Sequence, residues 1–144
     1  MPLPHAEHHP FMNSPLFKAG QALPSSTFKI TREQIREYAK ASGDNNPIHL
    51  DEAVARAAGL PGVIAQGMLE LGILGTLACG WAADPTRIRR LGCRFSGMTL
   101  PGDTLTYFAV VTSVEADLVR IEAWAENQRG DTVLSKAVVE ISMS

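Results

Sequence analysis

A chain of 144 residues with 45% hydrophobic and 19% charged side chains is long enough to bury one core without disulfide or metal staples. Its formal net charge of -2 excludes a general electrostatic case for nucleic acid or an anionic membrane. The two cysteines, Cys79 and Cys93, provide neither a disulfide framework nor a paired-cysteine zinc site.

Residues 1–15 contain three histidines and four prolines with no hydrophobic period. Metal binding by His5, His8 and His9 is one reading of this stretch; a flexible tail is the expected one. It lacks a basic segment followed by an apolar run, so no signal peptide is expected and the cytoplasm is the expected compartment. Residues 16–144 are expected to form one domain.

Phe28 and Ile30 fit a short strand. Thr31-Arg32-Glu33-Gln34 then has the pattern of a capping box, in which the Thr hydroxyl and the Gln side chain each satisfy a backbone donor of the other. The helix behind it puts Ile35, Tyr38, Ala39 and Ser42 on one face, and Gly43 is a natural stop. The polar loop Asp44-Asn45-Asn46-Pro47-Ile48-His49 cannot continue the helix, because Pro47 biases Asn46 towards extended backbone. Asp51 caps a short helix over 52–58, and a capping role accounts for it fully.

Over residues 67–80 the apolar side chains leave almost no polar face, and Glu70 is the only charge. Such a helix is expected to be enclosed by the fold. The longer apolar run, 64–83, is broken by Gln66, Glu70 and four glycines, and so reads as a buried helix rather than a membrane span. Gly72 and Gly75 each weaken a helix by about 1 kcal/mol relative to Ala, and close approach to another backbone is the expected compensation.

Strands make up the remainder. Leu91, Cys93 and Phe95 alternate with Gly92 and Arg94, and a Pro101-Gly102-Asp103 turn leads into a run of β-formers. Val119, Ile121, Ala123 and Ala125 alternate with polar neighbours, as do Val133, Ser135, Ala137, Val139 and Ile141. One apolar helix followed by an antiparallel sheet points to an α+β architecture with the sheet wrapped around the helix.

The string Ser42-Gly43-Asp44-Asn45-Asn46-Pro47-Ile48-His49-Leu50-Asp51 resembles the hydratase motif of MaoC-like, (R)-specific enoyl-CoA hydratases. The resemblance continues through Gly59-Leu60-Pro61, Ile64-Ala65-Gln66-Gly67-Met68-Leu69, Arg94-Phe95 and Pro101-Gly102-Asp103-Thr104-Leu105. It spans about residues 28–141, and within the group it is nearest to short β-hydroxyacyl-ACP dehydratase subunits. It implies a hot-dog fold paired into a dimer, an acyl-CoA or acyl-ACP substrate, and Asp44 and His49 as the catalytic pair. Many relatives carry His immediately before the helix-leading Gly, where this chain has Gln66.

These residue types suit the addition of water to a 2-enoyl thioester. Water must lose a proton as it attacks C3, C2 must gain one, and charge on the thioester oxygen must be stabilised. An imidazole titrates near neutrality, so His49 can take the proton, while Asp44 holds the same water and shares in proton delivery. Gly67, leading the apolar helix, offers an unsatisfied N–H, the helix dipole and room for close approach. That is an oxyanion site. Asn46 is expected to fix the loop, and with Gln66 it joins Gly67 in lining the substrate site.

Taken singly, Asp44 is a turn residue, His49 a loop histidine and Gly67 a helix start. In this order, ahead of this helix, they read as one site. Arg87, Arg89 and Arg90 form the one basic cluster and would meet carrier phosphates or an acidic carrier protein; a solvated strand end is the competing reading. No metal or redox cofactor is expected. A hot-dog thioesterase is the alternative activity, disfavoured because hydrolysis does not call for this His. A subunit of a heterodimeric dehydratase is the alternative assembly, in which this chain would be the catalytic partner.

Overall fold

The computed structural model describes residues 17–144, so the histidines at 5, 8 and 9 and the expected tail lie outside the described residues. Strand β1 (Ala22–Lys29) leads to helix α1 (Arg32–Ser42), a 3-10 turn at Pro47–His49 and helix α2 (Glu52–Ala57). The long helix α3 (Gly67–Ala82) and a second 3-10 turn (Pro85–Arg87) precede β2 (Ile88–Phe95), β3 (Thr104–Glu115), β4 (Leu118–Glu126) and β5 (Thr132–Ser142). The five strands form one sheet in the order β1-β3-β4-β5-β2, every neighbouring pair antiparallel. With α3 laid across it, this is the hot-dog arrangement.

Local chemistry fixes the helix ends. Thr31 accepts from the Gln34 N–H and donates its own N–H to the Gln34 side chain, which completes the capping box. Gly43 closes α1 in the left-handed region at φ 76°, a conformation that costs glycine little. Asp51 accepts from the Ala53 and Val54 N–H groups at the start of α2. Ile35 and Ala39 are buried, so α1 presents a narrow apolar stripe to the core. Burying a side chain the size of Ile35 contributes about 1.5–3 kcal/mol.

Strands β3 and β4 alternate as their sequence predicts, whereas on β2 the register shifts between Gly92 and Arg94 and Phe95 is exposed while Leu91 and Cys93 are partly buried. On β3, Leu105, Tyr107, Ala109 and Val111 face inward, and on β4, Val119, Ile121, Ala123 and Ala125 do. Strand β5 departs from the expected phase. Leu134 is buried in place of Ser135, because the register shifts there and Lys136 adopts φ 48°. One extra residue between Leu134 and Ala137 reverses which side chains point inward.

Helix α3 is enclosed less than its composition suggests. Its fully buried residues, Glu70, Leu74, Ala78 and Ala82, form one stripe against the sheet, and Tyr107 donates to the Glu70 main-chain carbonyl at 2.8 Å. Leu69, Leu71, Ile73, Leu77 and Trp81 are only partly covered, and Met68 is 55% exposed. A single sheet covers one side of a helix and leaves the others open. The expected compensation for the glycines is also absent among the described residues. A Cβ at Gly72 would meet nothing within 4 Å, and one at Gly75 would touch only the Leu91 side chain, at 3.4 Å.

Asp103 ties the β2–β3 connection to the β4–β5 hairpin. Its carboxylate accepts from Gln128 Nε2 (2.8 Å), Arg129 Nη1 (3.1 Å), Arg129 Nη2 (3.0 Å) and the Leu100 N–H (3.0 Å). Burial alone would raise its pKa, but the hydrogen bonds from Arg129 and Gln128 outweigh burial and hold it below the usual carboxylate value. Replacing Asp103 with alanine strands this cluster of donors and is expected to lower stability by about 3 kcal/mol in urea unfolding. A loss under about 0.5 kcal/mol, the range of an ordinary surface pair, would show that the lock contributes little.

Candidate active site

The loop after α1 is built by its own polar side chains. Ser42 Oγ donates to the Tyr38 carbonyl at 2.7 Å and accepts the Asp44 N–H at 3.1 Å. Asp44 Oδ1 accepts the Asn46 N–H at 3.1 Å, and Asn46 Oδ1 accepts the Ile48 N–H at 3.3 Å. Each short side chain replaces a backbone partner that a helix would have supplied. One oxygen of Asp44 is thereby held, and the other, Oδ2, is left facing His49.

His49 is anchored from behind. Its Nδ1 lies 2.6 Å from the main-chain carbonyl oxygen of Ile64. A carbonyl only accepts, so Nδ1 carries the hydrogen and, in the neutral ring, Nε2 presents a bare lone pair. That nitrogen stands 3.7 Å from Asp44 Oδ2, beyond hydrogen-bond reach. Two acceptors with no proton between them leave a gap that a water molecule can bridge, giving one hydrogen to each. The His49 side chain is only 10% exposed and that of Asp44 41%, so the gap opens outward on the Asp44 side.

The segment that holds His49 also leads into α3. The Ile64 N–H donates to the Ile48 carbonyl at 3.2 Å, and the Ala65 N–H donates to the Thr99 carbonyl at 2.8 Å. Gly67 begins the helix three residues after Ile64, and Gln66 at the cap position makes no side-chain capping bond. The first-turn N–H groups therefore receive no side-chain acceptor from the cap, although the Leu69 N–H donates to the Gln66 carbonyl at 3.1 Å, and the helix dipole adds partial positive charge there. A Cβ at Gly67 would lie 2.9 Å from Cδ1 of Phe95. Glycine is thus needed to let the Phe95 ring lie across the helix start.

Residues 18–132 match the family described as MaoC like domain. The chain belongs to this family. The MaoC-like domain is 38% identical over 68 residues to peroxisomal enoyl-CoA hydratase 2 of Arabidopsis thaliana, covering 46% of this chain and 22% of that protein. Among solved structures it resembles the R-hydratase PhaJ1 of Pseudomonas aeruginosa, with TM-score 0.75, 28% identity and coverage of 88% of this chain and 82% of that one. It also resembles a chain of the ChsH1–ChsH2 complex of Mycobacterium tuberculosis, with TM-score 0.80, 27% identity and coverage of 90% and 100%. The chain spans a quarter or less of the curated relatives it matches first: 3% of one and 22% of another. Two of the proteins so matched are themselves named hydratases, the Arabidopsis thaliana and Pseudomonas aeruginosa ones.

The other predicted site residues take separate places. Asn46 fixes the loop from an exposed position. Gln66 is 2% exposed and turned into the core, where Nε2 donates to the Ile35 carbonyl at 3.0 Å and Oε1 is buried without a partner. It clamps α1 to the start of α3 instead of lining the substrate site. Arg87, Arg89 and Arg90 are not brought to the pair within this chain. They sit where β2 begins, at the far end of the 16-residue α3, about 24 Å from Gly67 along the helix. There Arg89 donates to the Thr86 carbonyl and Arg90 lies 3.8 Å from Glu140.

Sequence reasoning missed Ser42, the Ile64 carbonyl, Phe95 and Thr99 as parts of this site. A hydroxyl at a helix end just before Asp44 was a usable signal for Ser42. A main-chain carbonyl leaves no mark in a sequence.

Proposed function

We propose that this chain adds water to trans-2-enoyl thioesters, or removes it from (R)-3-hydroxyacyl thioesters, carried on coenzyme A or an acyl carrier protein. The observation that carries the reading is the His49 Nε2 lone pair, fixed by Ile64 and facing Asp44 Oδ2 across 3.7 Å. A water in that gap gives a proton to Nε2 as its oxygen bonds to C3. The C2–C3 π electrons move towards the thioester carbonyl, whose oxygen gains charge and is met by the Gly67 N–H. The proton then passes from the Asp44–His49 pair to C2, which restores the carbonyl and the resting enzyme. Because attack comes from one fixed side, one stereoisomer forms. The steps draw on Asp44, His49 and Gly67.

The domain works as half of a pair, with a second copy or another hot-dog chain. Two features support this: the exposed Met68 and Phe95 beside the helix start, and β2, an edge strand with one side unpaired. No helix among the described residues is long and apolar enough to cross a membrane.

The test is loss of enoyl absorbance on mixing the purified protein with trans-2-enoyl-CoA substrates of increasing chain length. Turnover to the (R)-3-hydroxyacyl product is expected. Release of free thiol without loss of the double bond would replace this reading with thioester hydrolysis.

A further inference from the structure

Glu70 is the only charged side chain of α3, and the fold removes it from water, leaving 2% exposed. It lies one helical turn beyond Gly67, in the stripe that faces the sheet. Cys93 of β2 and Tyr107 of β3 are the titratable groups that face it, and Thr99 of the β2–β3 connection lies beside it. Burial raises the pKa of both Cys93 and Tyr107, so each stays neutral near pH 7. The Tyr107 hydroxyl is already spent on the main-chain carbonyl of Glu70. Thr99 Oγ1 is buried without a formed hydrogen bond, although it lies close enough to favour the ionised carboxyl. Among the described residues, no lysine, arginine or histidine acts on Glu70. Burial therefore dominates and pushes its pKa up to about 7.

The placement has an electrostatic consequence. A helix start carries roughly half a positive charge, concentrated in its first turn. A neutral carboxyl in that turn leaves the charge available to a bound oxygen. A carboxylate at the same place, shielded from water, opposes it. We infer that Glu70 sets the strength of the anion site at Gly67, supporting it as the neutral acid and weakening it once ionised. The inference rests on the reading of Gly67 as the group that polarises a thioester. Glu70 touches no reacting atom and acts through the helix start, as a positioning residue.

The experiment compares the wild-type protein with Glu70→Gln, the isostere of the neutral acid, by two readouts across pH 5.5–9. One is kcat/KM for a trans-2-enoyl-CoA. The other is the infrared carbonyl band of bound, carbonyl-labelled butanoyl-CoA, which reports polarisation without turnover. The wild type is expected to lose about tenfold in kcat/KM on the alkaline side of neutrality, with its carbonyl band returning towards the free position over the same interval. Glu70→Gln is expected to show neither change. A variant with the same alkaline fall as the wild type, or a wild-type carbonyl band independent of pH, would overturn the inference.

Thr99→Val provides a second route if the Gln variant does not fold. It removes the hydroxyl that favours the carboxylate and should move the alkaline limb to higher pH; an unmoved limb overturns the inference as well. If neither protein hydrates the substrate but the carbonyl band tracks pH in the wild type alone, the hydratase reading falls and the Glu70 inference stands.

Discussion

Replacing His49 with alanine is expected to lower kcat on a trans-2-enoyl-CoA by about 1000-fold, with the far-ultraviolet circular dichroism unchanged. A positioned general base accounts for about 100- to 10,000-fold in such reactions, and His49 is the only histidine among the described residues. The ring accepts nothing from the core and donates only to the Ile64 carbonyl, so its loss leaves one main-chain acceptor for solvent to satisfy. Asp44→Asn is expected to cost about 100-fold. The amide keeps the oxygen that receives the Asn46 N–H but puts a donor where Oδ2 would accept from the shared water. The two groups act on one water, so the double variant should be little worse than His49→Ala alone. Near-normal turnover by Asp44→Asn would sink the shared-water geometry, and strictly multiplicative losses would mean that the groups act separately.

The second large effect concerns stability. The folded protein holds a proton on Glu70 up to about pH 7, whereas an ordinary glutamate releases it near 4.5. Between those values the folded state binds more protons than the unfolded one, so stability falls as pH rises. The contribution is fully present below pH 4.5 and lost as pH passes through 7. At about 1.4 kcal/mol per pH unit, it amounts to roughly 3 kcal/mol. Glu70→Gln should remove this slope, so in urea unfolding the variant should gain on the wild type steadily from pH 5 to pH 8. Parallel stability profiles for the two proteins would show that Glu70 ionises as freely in the fold as in water.

What the sequence disclosed was decided over short distances. The Thr31–Gln34 box, the Gly43 stop, the Asp51 cap and the alternation on β3 and β4 each depend on residues within a few positions. The closeness of Asp44 and His49 was legible for the same reason, since a six-residue loop stiffened by Pro47 has few ways to fold. The bulge at Lys136 was not legible, because a lysine in a strand gives no hint of a positive φ and the shift is set by pairing with β2 and β4.

Contacts between distant segments escaped for a related reason. Gln66 reaches Ile35 across 31 positions, and Asp103 meets Arg129 across 26. A glutamine before a helix start and an aspartate in a Pro-Gly-Asp turn both have ordinary local readings, and those readings concealed the long-range partner. Glu70 stood out as a lone charge. Only the packing of α3 on β2 and β3 shows that it is buried with no cation to balance it among the described residues.

The clamp on His49 separates two properties that enzymes often tie together. The atom that selects the imidazole tautomer belongs to the peptide bond of residue 64, and no exchange of one amino acid for another deletes a peptide carbonyl. The side chain at 64 is consequently released from any duty in proton transfer. Side chains of other size can therefore stand at position 64 while the imidazole of His49 keeps the same tautomer.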